Sequence, residues 1–161
     1  MKKIPVILDT DIGSDIDDTW ALGFMLKCPE LDVKLITTAS ANTVYRTKLV
    51  AKYLEDTGRT DIPIGRGPKT NAINNNPRIE SWLEGYDIGA YPGTIYGDGV
   101  SKLIDSIMSS PDPITLCCIG PLSNIAAALD KEPRIASKCH FVSMIGSIAK
   151  GHEDSPEKIA E

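Results

Sequence analysis

Asp9, Asp11, Asp15, Asp17 and Asp18 place five carboxylates within ten positions, directly behind an apolar run at residues 4–8 and directly before a helix-like segment. At neutral pH such a group repels itself unless a cation sits among its members, and a hard divalent ion with oxygen ligands is the simplest counter-charge. One or two aspartates are accounted for by helix capping and the helix dipole. Five at the end of a buried strand are not. The stretch reads as a ligand or metal site.

The elements that must position these carboxylates follow from apolar patterning. Residues 4–8 form a short apolar run without alternation, which suits a strand buried on both faces. Gly13 permits a tight turn, and Asp17 and Asp18 open a helix over 19–27 whose Trp20, Phe24 and Cys28 recur at helical spacing before Pro29 stops it. Further strands are expected at 33–37, 62–64, 113–119 and 139–145. Helices are expected at 43–56 (inner face Val44, Leu49, Val50, Tyr53, Leu54), 100–108 and 125–129. Between them, residues 68–97 form a long irregular loop without periodicity, with Trp82, Tyr86, Tyr91 and Tyr96 along it and Asn74, Asn75 and Asn76 as its most flexible point. Alternating strands and helices imply one α/β domain over 1–161, a mostly parallel sheet with helices on both faces. Ligands of such sheets bind beyond the carboxyl ends of the strands. The turns at 9–18, 38–42, 65–68 and 120–124 all fall at that edge, so the acidic cluster has company.

Composition sets the outer limits. A chain of 161 residues with 42% hydrophobic and 24% charged residues can build a sizeable core. A net charge of −5 argues against nucleic acid or an anionic membrane as partner. No apolar window is long enough to span a bilayer, and the apolar run behind Lys2 and Lys3 is too short for a secretory signal, which gives a cytoplasmic expectation. Cys28, Cys117, Cys118 and Cys139 lie in apolar runs without CxxC spacing and are expected to be buried free thiols.

The stretch from Asp9 to Asp18, followed by Ala21 and Leu22, resembles the DxDPGxDDxxAL signature of the inosine–uridine-preferring nucleoside hydrolases. Residues 38–42 resemble that family's small-residue segment ending in Asn, and residues 62–67 its PVxxG strand end. Residues 115–126 are similar to its TLxxxGPLTNIA segment, and Met144-Ile145-Gly146 to its MGG strand end. Two departures are visible: five residues rather than three separate Asp11 from the Asp17–Asp18 pair, and Ile12 replaces the usual proline. Aligned on Ala21 and Leu22, Asp15 falls in a two-residue insertion. Members of the family are about twice this length, so the resemblance implies that residues 1–161 correspond to the N-terminal half of a Rossmann-like nucleoside hydrolase core, with the C-terminal part of the fold absent.

The resemblance implies Ca²⁺-dependent hydrolysis of the N-glycosidic bond of ribonucleosides, giving free base and ribose, a step of purine and pyrimidine salvage. Asp11 and Asp18, with the backbone carbonyl of Ile119, would bind Ca²⁺; Asp11 would take a proton from water; Asp17 and Asn42 would contact the ribose; and Asp9 and Asp15 would support the cluster from behind. A homo-oligomer, or association with a missing C-terminal half, is implied as well. His140 and His152 do not match the family's general acid; His140 is expected to be structural. Blander roles remain open: Asn42 as a helix cap, Ser123 and Asn124 as shaping and capping residues of the helix at 125–129, Asp98 as a turn or cap residue. Two other readings stand beside the enzyme: a truncated, inactive metal- or sugar-binding relative, and a haloacid-dehalogenase-type phosphatase with Asp9 as nucleophile and Mg²⁺ as metal.

Overall fold

A computed structural model describes residues 2–71 and 78–146. Asn74, Asn75, Asn76 and His152 therefore lie outside the described residues. Strands β1 (Ile4–Thr10), β2 (Leu31–Thr38), β3 (Ile64–Arg66), β4 (Ile95–Tyr96), β5 (Ile114–Cys118) and β6 (Cys139–Ser143) form one sheet in the order β4-β3-β2-β1-β5-β6, and each neighbouring pair is parallel. The expected parallel α/β architecture is observed.

Helices α1 (Asp17–Lys27) and α2 (Thr43–Asp56) cover one face of the sheet, where Leu22, Met25, Leu49, Val50 and Leu54 pack on Val6, Leu8 and Ile36. Helices α3 (Gly99–Ser109) and α4 (Ser123–Lys131) cover the other, where Val100, Leu103, Ile107, Ile125 and Ala128 pack on Ile7, Leu35, Ile114 and Leu116. The chain runs outward from β1 through β2 and β3 to the β4 edge, then crosses to the far side of β1 through α3. The β1/β5 junction is thus the point where strand order reverses, the usual position of a ligand crevice in open α/β sheets.

The 68–97 stretch is less irregular than its lack of periodicity suggests. It holds two 3₁₀ turns, Glu80–Leu83 and Ile88–Ala90, and the two-residue edge strand β4. Tyr86 donates to Glu55 at 2.8 Å, Tyr91 is buried, and Lys52 lies over the Trp82 ring, so part of this segment folds back on α2. Short 3₁₀ turns leave no periodic trace in sequence because they contain too few residues to repeat. The cysteine expectation holds in part: all four are free, but only Cys118 is buried and the others are half-buried.

Helix α1 presents its Leu22 side to the sheet. Trp20 and Phe24 are exposed, and the inward stripe is Asp18, Leu22 and Met25. Apolar residues almost encircle this helix, so spacing alone could not choose a face. A Cβ at Gly23 would lie 2.6 Å from the Tyr53 hydroxyl, so α1 and α2 pack closely on this side. This orientation has a consequence for the acidic cluster, because burying Leu22 and Met25 carries Asp18 inward with them and leaves Asp17 outside. On α2, Leu49, Val50 and Leu54 face inward as expected, while Val44 is exposed.

Leu22→Ala is expected to destabilise the 161-residue chain by roughly 3 kcal/mol, and Phe24→Ala to change stability by less than about 0.5 kcal/mol, measured by urea unfolding. Equal losses would show that α1 presents its Phe24 side to the core.

Candidate functional site

Strand β1 ends at Thr10, and the chain turns sharply through Gly13 (φ +111°) into α1, which places the five aspartates at the reversal point of the sheet. The floor of the site is Asp9, fully buried. Its Oδ1 accepts from the Thr37 hydroxyl of β2 and from Asn124 Nδ2 of α4 at 2.7 Å, while Oδ2 has no partner among the described residues. Burial raises the Asp9 carboxyl from 3.8 to about 6; the two hydrogen bonds oppose the rise and the neighbouring Asp11 adds to it. A nucleophile must reach its substrate, so this burial argues against the phosphatase reading.

Asp18 is also buried and accepts from the Thr10 hydroxyl, which in turn accepts from the Ile12 amide at 3.1 Å. Burial pushes its carboxyl up to about 7; Thr10 opposes this, and Asp11, Asp17 and Asp15 reinforce it. Asp11 is partly exposed and raised chiefly by burial, with the Arg46 guanidinium pulling the other way and Asp15 and Asp17 adding repulsion. Carboxylate oxygens of Asp15, Asp17 and Asp18 lie within 4.8 Å of one another, with Asp15 and Asp17 at the surface. Two ligands on opposite sides of a Ca²⁺ at about 2.4 Å each are separated by that same span. Oxygen-only donors, mutual repulsion and raised carboxyls together fit a hard cation.

Asp11 is close enough to raise the Asp18 carboxyl, lies against Gly120 and is 3.9 Å from Arg46 Nη2. A Cβ at position 120 would lie 2.8 Å from the Asp11 amide nitrogen and 3.0 Å from its Oδ1, so the turn after β5 needs glycine to approach the acidic loop. Ile119 is held beside this loop by its amide, which donates to the Asp9 carbonyl at 2.9 Å. Asn42 caps α2, accepting from the Tyr45 amide at 3.2 Å, and Asp98 caps α3 through the Ser101 amide at 3.0 Å. His140 is exposed on the edge strand β6.

Two residues take parts at the site that the sequence did not suggest: Asn124, expected to shape and cap α4, and Arg46. Asn124 is not the cap of α4, a position held by Leu122; it is buried and joins Asp9 to the Thr38 carbonyl at 3.1 Å. Gly67 fits against it so closely that a Cβ would meet Asn124 Oδ1 at 2.2 Å and the Thr38 carbonyl oxygen at 2.3 Å. Arg46 is 1% exposed and donates to the carbonyls of Asp11, Ile12 and Ser40. For Arg46 the available signal was a cation on the turn of α2 that also carries the inward-facing Thr43 and Thr47.

Residues 6–161 match the family model described as inosine-uridine preferring nucleoside hydrolase. Among characterised relatives, the non-specific ribonucleoside hydrolase RihC of Klebsiella pneumoniae is 35% identical over 158 residues, which is 93% of this chain and 51% of that protein. Its counterpart in Salmonella paratyphi B is 36% identical, with the same coverage. Among solved structures, the plant nucleoside hydrolase PpNRh1 superposes with a TM-score of 0.72 at 30% identity over 95% of this chain and 51% of that one. The chain thus spans about half the length of the curated relatives it matches.

The raised Asp9 carboxyl sets a pH dependence. The folded state holds this proton more tightly than the unfolded chain, so its contribution to stability is full below 3.8 and is lost as pH rises to about 6. Asp9→Asn keeps the acceptor for Thr37 and Asn124 and cannot ionise. Across that window the metal-free wild type is expected to lose on the order of 2–3 kcal/mol relative to the variant. Urea midpoints at pH 4 and pH 7 read the difference, and parallel curves for the two proteins would refute the assignment.

Proposed function

The chain belongs to the inosine-uridine preferring nucleoside hydrolase family, and from that premise we propose that its protein hydrolyses the N-glycosidic bond of ribonucleosides with Ca²⁺ as cofactor. The observation that carries the proposal is the packing of Asp15, Asp17 and Asp18, with Asp11 near enough to repel them, at the β1/β5 reversal point, where a ligand of an open α/β sheet binds. Asp11 and Asp18, with the carbonyl of Ile119, are the proposed protein ligands, and the nearness of Asp15 to Asp18 makes it a further candidate. When bound, the cation supplies a more acidic water and a grip on ribose hydroxyls.

The chain's own residues carry the remaining steps. Asp11, partly exposed, accepts a proton from the attacking water. The water oxygen bonds to C1′ of the ribose as the C1′–N bond breaks, and the base departs with that electron pair and takes up a proton. Asp17, on the exposed side of α1, accepts from a ribose hydroxyl. Asn42 already caps α2 through its Oδ1, so its Nδ2 is the group available to the sugar. Asp9 touches no substrate in this scheme; it anchors β1, β2 and α4 beneath the cluster.

The substrate class is a nucleoside, taken from the cytoplasmic pool in salvage. Phe141, Val142, Met144 and Ile145 are exposed on and after the edge strand β6, which supports assembly through that side. No helix among the described residues is long and apolar enough to cross a membrane.

In the full-length protein, Ca²⁺ is expected to raise release of base from inosine and uridine, and a chelator to abolish it. Asp11→Ala is expected to lower kcat by roughly 10²–10⁴-fold, followed by the ultraviolet absorbance change on base release. Turnover of p-nitrophenyl phosphate, with none of any nucleoside, would replace this reading with the phosphatase one.

A further inference from the structure

The chemistry above makes no use of Arg46, the buried cation of the site. Its side chain leaves the first turn of α2, is 1% exposed, and reaches across to the loop after β1. Nε donates to the Ser40 carbonyl at 3.0 Å, Nη1 to the carbonyls of Asp11 and of Ile12 (2.9 Å to the latter), and Nη2 to Ser14 Oγ at 3.2 Å. Asp11 Oδ2 lies 3.9 Å from Nη2. The backbone it grips is unusual on both sides: Gly13 has φ +111°, and Ser40 and Ala41 have φ +69° and +46°. Two consecutive non-glycine residues in the left-handed region are disfavoured and persist only where their surroundings hold them.

We infer that Arg46 is a positioning residue: its buried guanidinium clamps the turn at residues 11–14 to the turn at residues 40–41, presetting the acidic loop for a divalent cation before the cation arrives. The presetting half rests on the reading of Asp11 and Asp18 as cation ligands; the clamp itself does not. Arginine suits the task because its planar fork spends donors in several fixed directions at once, which a lysine ammonium cannot copy. By pointing the Asp11 and Ile12 carbonyls at itself, the guanidinium fixes the direction in which the Asp11 side chain leaves the backbone.

A plain counter-charge role makes the opposite forecast. A fixed positive charge beside a cation site repels the arriving ion, so removing that charge with the loop intact tightens binding. A clamp forecasts weaker binding when the fork is lost, whether or not the charge stays.

The test uses Arg46→Lys, which keeps the charge, and Arg46→Met, which does not, in the full-length protein. Hydrogen–deuterium exchange of the metal-free variants is expected to quicken at residues 11–18 and 40–43 while the amides of β1 and β5 stay as slow as in the wild type. Calorimetric titration with Ca²⁺ is expected to show affinity reduced by roughly 10- to 100-fold in both. Unchanged exchange at the two turns of Arg46→Lys overturns the clamp, as does loosening spread evenly over the sheet. Equal or tighter Ca²⁺ binding in the variants overturns the presetting. Should Arg46→Met fail to fold, Arg46→Lys still decides, since a counter-charge role leaves its affinity unchanged. A wild type that takes up no Ca²⁺ sinks the metal reading of the site, and the clamp is then decided on exchange alone.

Discussion

The structure depends on how negative charge is tolerated at the carboxyl end of β1. Two of the five aspartates, Asp9 and Asp18, are buried there, and burial raises both carboxyls, to about 6 and about 7. Each is stabilised by hydroxyl donors, Thr37 and Thr10 respectively, with Asn124 added at Asp9. Neutral donors of this kind contribute about 1 kcal/mol each, less than taking an ionised carboxyl out of water costs. One guanidinium stands against five carboxyls. The remaining charge is met by protons in the metal-free protein or by a cation, and the mutual approach of Asp15, Asp17 and Asp18 favours the cation.

The rest of the fold is arranged to hold that balance. The reversal of strand order between β1 and β5 opens the crevice, and glycines let the surrounding backbone close on it. Gly120 brings the turn after β5 against Asp11, and Gly67 brings the turn after β3 against Asn124 and the Thr38 carbonyl. That carbonyl accepts from both the Gly67 amide, at 3.0 Å, and Asn124. Asp9, Thr37, Thr38, Asn124 and Gly67 thus join β1, β2, the turn after β3 and α4 in one polar cluster beneath the acidic loop. Such a cluster rigidifies where its members are satisfied. Its atoms without a partner among the described residues, Asp9 Oδ2 and Asn124 Oδ1, lie at the site and not in the apolar layers.

Much of the architecture could be read from the chain because it rests on local signals. The apolar runs marked β1, β2 and β5, while Gly, Asn and Asp clusters marked the turns. Their coincidence at one sheet edge located the site. The missed features depend on tertiary contacts. Trp20 and Phe24 have the right spacing for an inner face, yet a helix that is apolar nearly all round carries no record of which side meets the sheet. An inward Trp20–Phe24 face would bury Asp17 and expose Asp18, the reverse of the observed arrangement. Asn124 looked like a cap because it opens a helix. Its actual partner lies 115 positions earlier in the chain, which no local pattern reports.

Arg46 belongs with these non-local features and explains why the acidic loop can be both strained and ordered. A loop held only by its own hydrogen bonds would relax away from five like charges and from the left-handed turn at Gly13. Tying it to a second strained turn, on a helix already fixed by Leu49, Val50 and Leu54, transfers the rigidity of the core to the carboxylates. The guanidinium makes that tie without adding another acceptor or another negative charge to the loop. Its cationic charge is opposed chiefly by burial and favoured by Asp11 and Asp18, and it in turn offsets part of the rise that burial imposes on Asp11. Buried acids, a buried arginine and the positive φ angles of Gly13, Ser40 and Ala41 thus lie together at the carboxyl ends of β1 and β2. Local rules are broken together at functional sites when the surrounding fold compensates for them, and the clamp from α2 is part of that compensation.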